Sequence, residues 1–368
     1  MGDALAVHRL QFAFTIVYHY LFPQLTMGLA LLIVVLKTLA LRSGGRAYDI
    51  AAAFWARVFG VTFAFGVATG IPMEFQIGTN WARFAARAGE VVGPTLAMEG
   101  VFAFFLESIF LGLFLYGEGR LGRLGHWASS VALLVGTWLS GAFVVAANAF
   151  LQHPVGYRMD PDGTLRLESL ARLLGNPWFH WQYAHTMLGS VVTASTAVAA
   201  AAAFFLLSGK HERQARTWLR VAVPAGFLAT ALVAFPTGDV QAQKVREHQP
   251  ITFAAMEGHF RTGEGVSLVL IGQPDLEKMR LDNPIEIPRL LSFLAHKRFD
   301  AEVKGLLDFP REEWPDNVVL LYYAYHVMVG LGTMLIALFA LSTLALLRGR
   351  LHRTRMLLWA LLLALPFP

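Results

Sequence analysis

The sequence predicts an all-α polytopic membrane protein, a bundle of seven full transmembrane helices plus a partial eighth. Three observations lead there. Hydrophobic residues make up 56% of the 368 positions and charged residues only 15%, with a mean hydropathy of +0.51, far from the soluble norm. Seven stretches reach the roughly 20 apolar residues that cross the hydrocarbon of a bilayer. Lys and Arg then fall in short connections on alternate sides of those stretches, which is how orientation is written into such chains.

Taken in order, the spans lie near 12–36, 53–77, 95–116, 127–150, 181–207, 218–236 and 318–347. An eighth apolar piece, MLLWALLLALPFP, begins near 356 and is about half the length needed to cross. Lys37, Arg42, Arg46 and Arg57 follow the first span, Arg120 and Arg123 the third, Lys210, Arg213, Arg216 and Arg220 the fifth, and Arg348, Arg350, Arg353 and Arg355 the seventh. Only Arg83 and Arg87 and longer mixed-charge loops lie on the other side. The N-terminus is therefore expected outside. Two outer loops stand out, 151–180 and a polar excursion over 237–317. The chain thus divides into 1–236, 237–317 and 318–368. The N-terminus lacks a basic region and a small-residue cleavage site, so it does not read as a removable signal. No internal repeat or low-complexity tract is visible.

Zero cysteines exclude disulfides, thiolate metal sites and attached c-type haem. The net charge of +5 would suit nucleic acid, but the basic residues sit in the loops that set orientation, so no nucleic-acid partner is expected. The polar residues within the spans carry the chemistry. Glu99 and Glu107 lie in GPTLAMEGVFAFFLESIFLGLFLYG, where a charged side chain costs about 2.5 kcal/mol or more and marks a pathway or a site. His19, His185 and His326 are the intramembrane histidines, and Met328 follows the last of them. His326 and Met328 are about 200° apart on a helix, so they face different ways, and either suits haem iron, whose common axial ligands are His and Met. Glu74 lies near the outer end of the second span, where Gly66, Gly70 and Gly78 recur along one region. Close helix packing explains those glycines as well as a flat cofactor does. A lone histidine is explained by an interhelical hydrogen bond, a lone methionine by core filling, and paired glutamates by neutral carboxyls bonded to neighbours. Arg9 and Gln11 suit headgroup anchors, and Trp81 and Trp178 an aromatic belt. What gathers Glu99, Glu107, His19, His185 and Met328 is a common depth, reached from four helices, as in cofactor sites of helix bundles.

Seven stretches in order, RLQFAFTIVYHYLF, GVATGIPMEFQIGTNW, GPTLAMEGVFAFFLESIFLGLF, NPWFHWQYAHTMLGS, PTGDVQ, QPITFAAMEGHF and LYYAYHVM, resemble the large haem-bearing subunit of cytochrome bd quinol oxidases over essentially the whole chain. The resemblance implies a quinol:oxygen oxidoreductase of the bacterial cytoplasmic (inner) membrane, holding haems b and d beside a smaller second subunit. His185 and Met328 then correspond to the axial pair of low-spin haem b, and His19 to the ligand of a high-spin haem, with haem d favoured. Glu99 and Glu107 match the acidic residues beside those haems, Glu107 as proton donor with Ser140 as a polar step. Arg9 matches a contact for haem propionates. Oxygen reduction consumes protons as well as electrons, and a dry haem pocket obtains them only through titratable groups.

The long outer loop resembles the family's quinol-binding loop, with Glu257 as the residue linked to quinol oxidation. By its position alone Glu257 reads as a solvated loop carboxylate. Where the family often carries a lysine five residues earlier, this chain has Thr252. The loop is the short form. The family's ninth span, its Gly-Arg-Gln-Pro-Trp stretch and the glutamate ligand of the second high-spin haem would lie beyond Pro368, so that ligand is expected outside this chain. Two other functions fit parts of the pattern: a quinone-binding b-type cytochrome resting on His185 and Met328, and a haem-free proton-coupled transporter using the two glutamates.

Overall fold

A computed structural model describes residues 2–368. Seven helical segments are long and apolar enough to cross a membrane, one for each expected span. The helices overrun the apolar stretches because charged ends continue the same hydrogen-bond ladder beyond the apolar segment. Helix α1 (Gly2–Ser43) and α2 (Arg46–Thr79) form a hairpin. Gly44 provides its left-handed turn at φ +64°, a conformation that side-chain-bearing residues rarely adopt. A buried Lys37 closes the turn on Asp49 at 2.6 Å.

The third span is composite. Helix α3 (Ala82–Met98) passes through a π-helical turn at Glu99–Ala103 into α4 (Phe104–Tyr116). Such turns are frequent at functional sites. Helix α5 (Glu118–Gln152) follows, then a hairpin of β1 (Tyr157–Met159) and β2 (Leu165–Leu167), α6 (Leu170–Leu174) and α7 (Pro177–Leu207). Asn176 caps α7 by accepting the Trp178 backbone N–H at 2.9 Å. Trp178 itself is 3% exposed. It is therefore a core residue and not the member of an interfacial belt expected from its place before a span.

Helix α8 (Glu212–Leu232) bends through a π-helical turn at Val233–Gly238 into α9 (Asp239–His248). The sixth span, expected to end near 236, therefore continues as helix to His248. Helix α10 (Pro250–Glu257), β3 (Gly263–Glu264), β4 (Leu268–Asp275), β5 (Arg280–Ile287), α11 (Leu290–His296), β6 (Glu302–Val303), α12 (Val318–Leu347) and α13 (Arg355–Leu363) complete the chain.

The molecule divides into two compact units, one of residues up to 230 with 338–368, the other of residues 231–337. In the first, α1 packs on α2, α5 and α7, and α13 on α7. Backbones come close where small residues face each other: a Cβ on Gly28 would lie 1.9 Å from the Ser190 carbonyl oxygen. In the second unit, the 80-residue polar excursion is folded. Strands β4 and β5 pair antiparallel from Leu268↔Ile287 to Asp275↔Arg280, and β3 pairs with β6. Phe253, Leu291, Ala295 and Val303 form one core and Ala254, Ala255, Phe260, Leu306 and Val318 another. Gly258 ends α10 at φ +61°, where a Cβ would collide with the Tyr322 ring at 2.8 Å.

Candidate functional sites in the two units

In the first unit, His19 on α1 sets its Nδ1 3.0 Å from the Thr69 hydroxyl of α2. That hydroxyl gives its own proton to the Phe65 or Gly66 carbonyl, at 2.9 and 3.1 Å, so Nδ1–H is the donor and Nε2 keeps its lone pair. An imidazole fixed through one nitrogen and bare at the other is the arrangement of a metal-ligating histidine. Gly70 makes room for it: a Cβ there would lie 3.1 Å from His19 Cε1. A Cβ on Gly66 would meet Phe22 at 3.5 Å, while Gly78 faces open space. The glycine recurrence is thus partly packing and partly a seat for the histidine.

The two glutamates meet α5. Glu107 is 5% exposed, and its Oε1 lies 3.0 Å from the Thr137 hydroxyl, which also reaches the Leu133 carbonyl at 2.9 Å. With the hydroxyl proton on either bond, the carboxyl can act as acceptor or donor toward Thr137. Ser140 donates to Glu99 Oε1 at 2.8 Å. Thr137 and Ser140 are three residues apart and share one helix face. Gly136 lets α4 approach, since a Cβ there would lie 3.0 Å from the Glu107 backbone nitrogen. Glu99 and Glu107 thus both meet one face of α5. Arg9 and Glu74 occupy exposed positions on α1 and α2.

His185, on α7, is half-buried. Gly189 faces Gln24 and Gly28 faces Ser190 across α1 and α7, which puts His185 within about one helical turn of the level of His19. Among the described residues, the side-chain oxygens of Gln11, Gln24, Gln76 and Gln182 are buried with no hydrogen-bond partner. No group of three or more His, Asp or Glu converges as a conventional metal site there. Haem needs no such group, being held by one or two axial side chains. His19, whose Nε2 keeps its lone pair, and the seat at Gly70 fit a large planar cofactor held by an axial imidazole.

In the second unit, α12 separates two residues the sequence left equivalent. His326 has Nδ1 3.0 Å from the Tyr322 carbonyl and Nε2 3.1 Å from the Val269 carbonyl, with its ring stacked on Tyr322. Carbonyls only accept, so a neutral imidazole donates to one of the two, whichever nitrogen carries the hydrogen. Met328 is 56% exposed, with its thioether accessible.

The same unit contains a cavity of about 650 Å³ lined by Glu257, His259, Arg261, Lys278, Arg280 and Leu281 among others. Glu257 is 4% exposed, not the solvated carboxylate that a loop position suggests, because α10 and the loop core fold around it. The Tyr325 hydroxyl hydrogen-bonds its carboxyl, and Oε2 is buried without a partner. Burial pushes the Glu257 carboxyl up to about 7, the Tyr325 bond opposing that rise. His259 donates from Nε2 to the Val303 carbonyl at 3.1 Å, and burial holds its imidazole below the usual histidine range.

Sequence reasoning missed Thr69, Thr137 and His259. Thr137 was findable in principle, since it and Ser140 share a face of the fifth helix. Thr69 and His259 carry no signal of their own, because a mid-helix threonine and a loop histidine are ordinary residues until their neighbours are known.

The profile of the family described as "Cytochrome bd terminal oxidase subunit I" matches residues 7–368. "Cytochrome bd-II ubiquinol oxidase subunit 1" of Escherichia coli (strain K12) is 36% identical over 318 residues, covering 86% of this chain and 62% of that protein. "Cytochrome bd ubiquinol oxidase subunit 1" of Bacillus subtilis (strain 168) is 32% identical, covering 90% and 72%. The solved structure of bd oxidase from Geobacillus thermodenitrificans superposes with a TM-score of 0.93 at 29% identity, covering 99% of this chain and 84% of that one. The chain thus spans less than two thirds of its Escherichia coli relative and a larger share of the others. On sequence, helix count and superposition alike, the chain belongs to the cytochrome bd terminal oxidase subunit I family.

Proposed function

We propose that this chain is the haem-bearing subunit of a quinol:oxygen oxidoreductase in the bacterial inner membrane, working with a smaller second subunit. The observation that carries the proposal is the paired hydrogen bonding of Glu107 to Thr137 and Glu99 to Ser140 on one face of α5. His19 would hold a high-spin haem, with haem d favoured, and His185 and Met328 the low-spin haem b. When bound, the haems supply the electron-carrying and oxygen-reducing chemistry.

The chain's own residues supply the protons. Glu107 passes a proton through the Thr137 contact, and Glu99 is held in place by the Ser140 hydroxyl, three residues along the same face of α5. Glu74, near the outer end of the second span, adds a third carboxyl on the cofactor side. Arg9 suits a cofactor carboxylate, to which a guanidinium offers two parallel hydrogen bonds. In the second unit, Glu257 takes a proton from the hydroquinone as electrons leave it, its value near 7 letting it accept and release near neutrality. With the N-terminus outside, quinol is oxidised at the outer face and protons for water come from the cytoplasm. Family membership leaves a haem-free transporter without support.

The test is Glu107→Gln in the membrane-assembled complex. Oxygen consumption with reduced quinol falls by about 100-fold or more, the scale of a lost general acid, while the low-spin haem spectrum is kept. Unchanged oxygen consumption would remove the proton role of Glu107.

A further inference from the structure

We propose that His259 is the second proton acceptor for the hydroquinone, working with Glu257 in the cavity of the second unit. The proposal rests on the reading of that cavity as the quinol site. Oxidising a hydroquinone to a quinone breaks two O–H bonds and releases two electrons and two protons. The electrons reduce ferric haem of the assembled oxidase one at a time, and each proton needs an acceptor at its own oxygen. Glu257 offers one, the partnerless Oε2. The position five residues earlier, Thr252, offers no titratable group.

His259 offers the other. Its Nε2 faces the Val303 carbonyl at 3.1 Å. A carbonyl only accepts, so Nε2 carries the hydrogen and Nδ1 carries the lone pair. The residue lines the cavity with Glu257. The left-handed Gly258 between them turns the chain sharply at the end of α10, and two backbone bonds hold His259 in place: its N–H to the Ala254 carbonyl at 2.9 Å and its carbonyl from the Leu306 N–H at 2.9 Å. The charged groups around it are Asp308, which favours its protonation, and Glu257, Arg261, Lys278, Arg280 and Glu286 on the cavity wall. Burial keeps the imidazole neutral at neutral pH, ready to accept. One quinol proton therefore goes to His259 Nδ1 and the other to Glu257.

The experiment uses the assembled oxidase, a short-tailed ubiquinol analogue, and the variants His259→Gln, His259→Asn and Ser267→Trp. Glutamine keeps a donor near the Nε2 position, for Val303, and has no basic nitrogen. Asparagine keeps a polar group near Nδ1 and loses the Val303 bond. The proposal expects His259→Gln to lower quinol oxidation by about 100-fold or more. It also expects Kd for the analogue to rise about 3- to 10-fold, the scale of one lost hydrogen bond. In the wild type, affinity falls on acidification as the imidazole protonates, and in His259→Gln this dependence is lost. Wild-type turnover and an unchanged pH slope in His259→Gln, with a defect only in His259→Asn, would overturn the proposal and leave His259 a structural residue. Ser267→Trp fills the cavity from a small wall residue. If it leaves analogue binding intact, the cavity is not the quinol site and the underlying reading fails instead.

Discussion

Glu257→Gln should make the protein more stable at alkaline pH while removing quinol oxidation. The carboxyl is buried and pushed from an ordinary 4.5 up to about 7. A raised folded-state value means that the folded chain holds its proton more tightly than the unfolded chain. That contribution is fully present below about 4.5 and is lost as pH rises through 7. At about 1.4 kcal/mol per tenfold, ionising the buried group costs about 3 kcal/mol by pH 8 and about 1 kcal/mol at pH 5. Glutamine is always neutral and still offers an oxygen to the Tyr325 hydroxyl, so the variant escapes this cost. The assay is thermal unfolding of the detergent-solubilised protein, wild type against variant, at pH 5 and pH 8. The stabilisation should grow by about 2 kcal/mol between the two pH values, several degrees in Tm for a unit of this size. An equal Tm difference at both pH values would refute the burial argument for Glu257.

Two further substitutions test the packing and the haem ligand. Gly28→Ala drives a methyl group into the Ser190 carbonyl, so α1 and α7 must separate, costing about 1–3 kcal/mol or more; a lowered thermal midpoint is expected, and an unchanged one contradicts the contact. Met328→Ala should convert the low-spin haem to a form with altered absorption, whereas His326→Ala should leave that band in place, because the His326 ring lies between the Tyr322 and Val269 carbonyls and is stacked on Tyr322; the reverse result would reassign the ligand.

The membrane fold was legible because its signal is long-range and redundant. Some 20 apolar residues in a row admit few structures, and basic loops mark the ends. Helix ends were less legible, as at His248, because charged residues continue a helix once an apolar span has begun it. Glu99 and Glu107 stood out because a carboxyl in lipid needs a reason. Ser140 came only with the family resemblance and Thr137 not at all, since hydroxyl side chains satisfy themselves on their own helix and go unnoticed among apolar neighbours. Glu257 was misjudged for the opposite reason. In a polar loop a carboxylate looks solvated, and only the folding of α10, β4 and β5 around the cavity removes it from water. The contact of His326 with the Val269 carbonyl was not legible either, since the two residues are 57 apart in sequence.

The most direct test of the central claim is a reduced-minus-oxidised absorption spectrum of the purified assembled oxidase, recorded with and without carbon monoxide. The account predicts a low-spin b signal insensitive to carbon monoxide, together with a red chlorin band that shifts with it and is lost in His19→Ala. A lone low-spin b signal, blind to carbon monoxide, would contradict it and leave the chain a quinol-side cytochrome without oxygen chemistry.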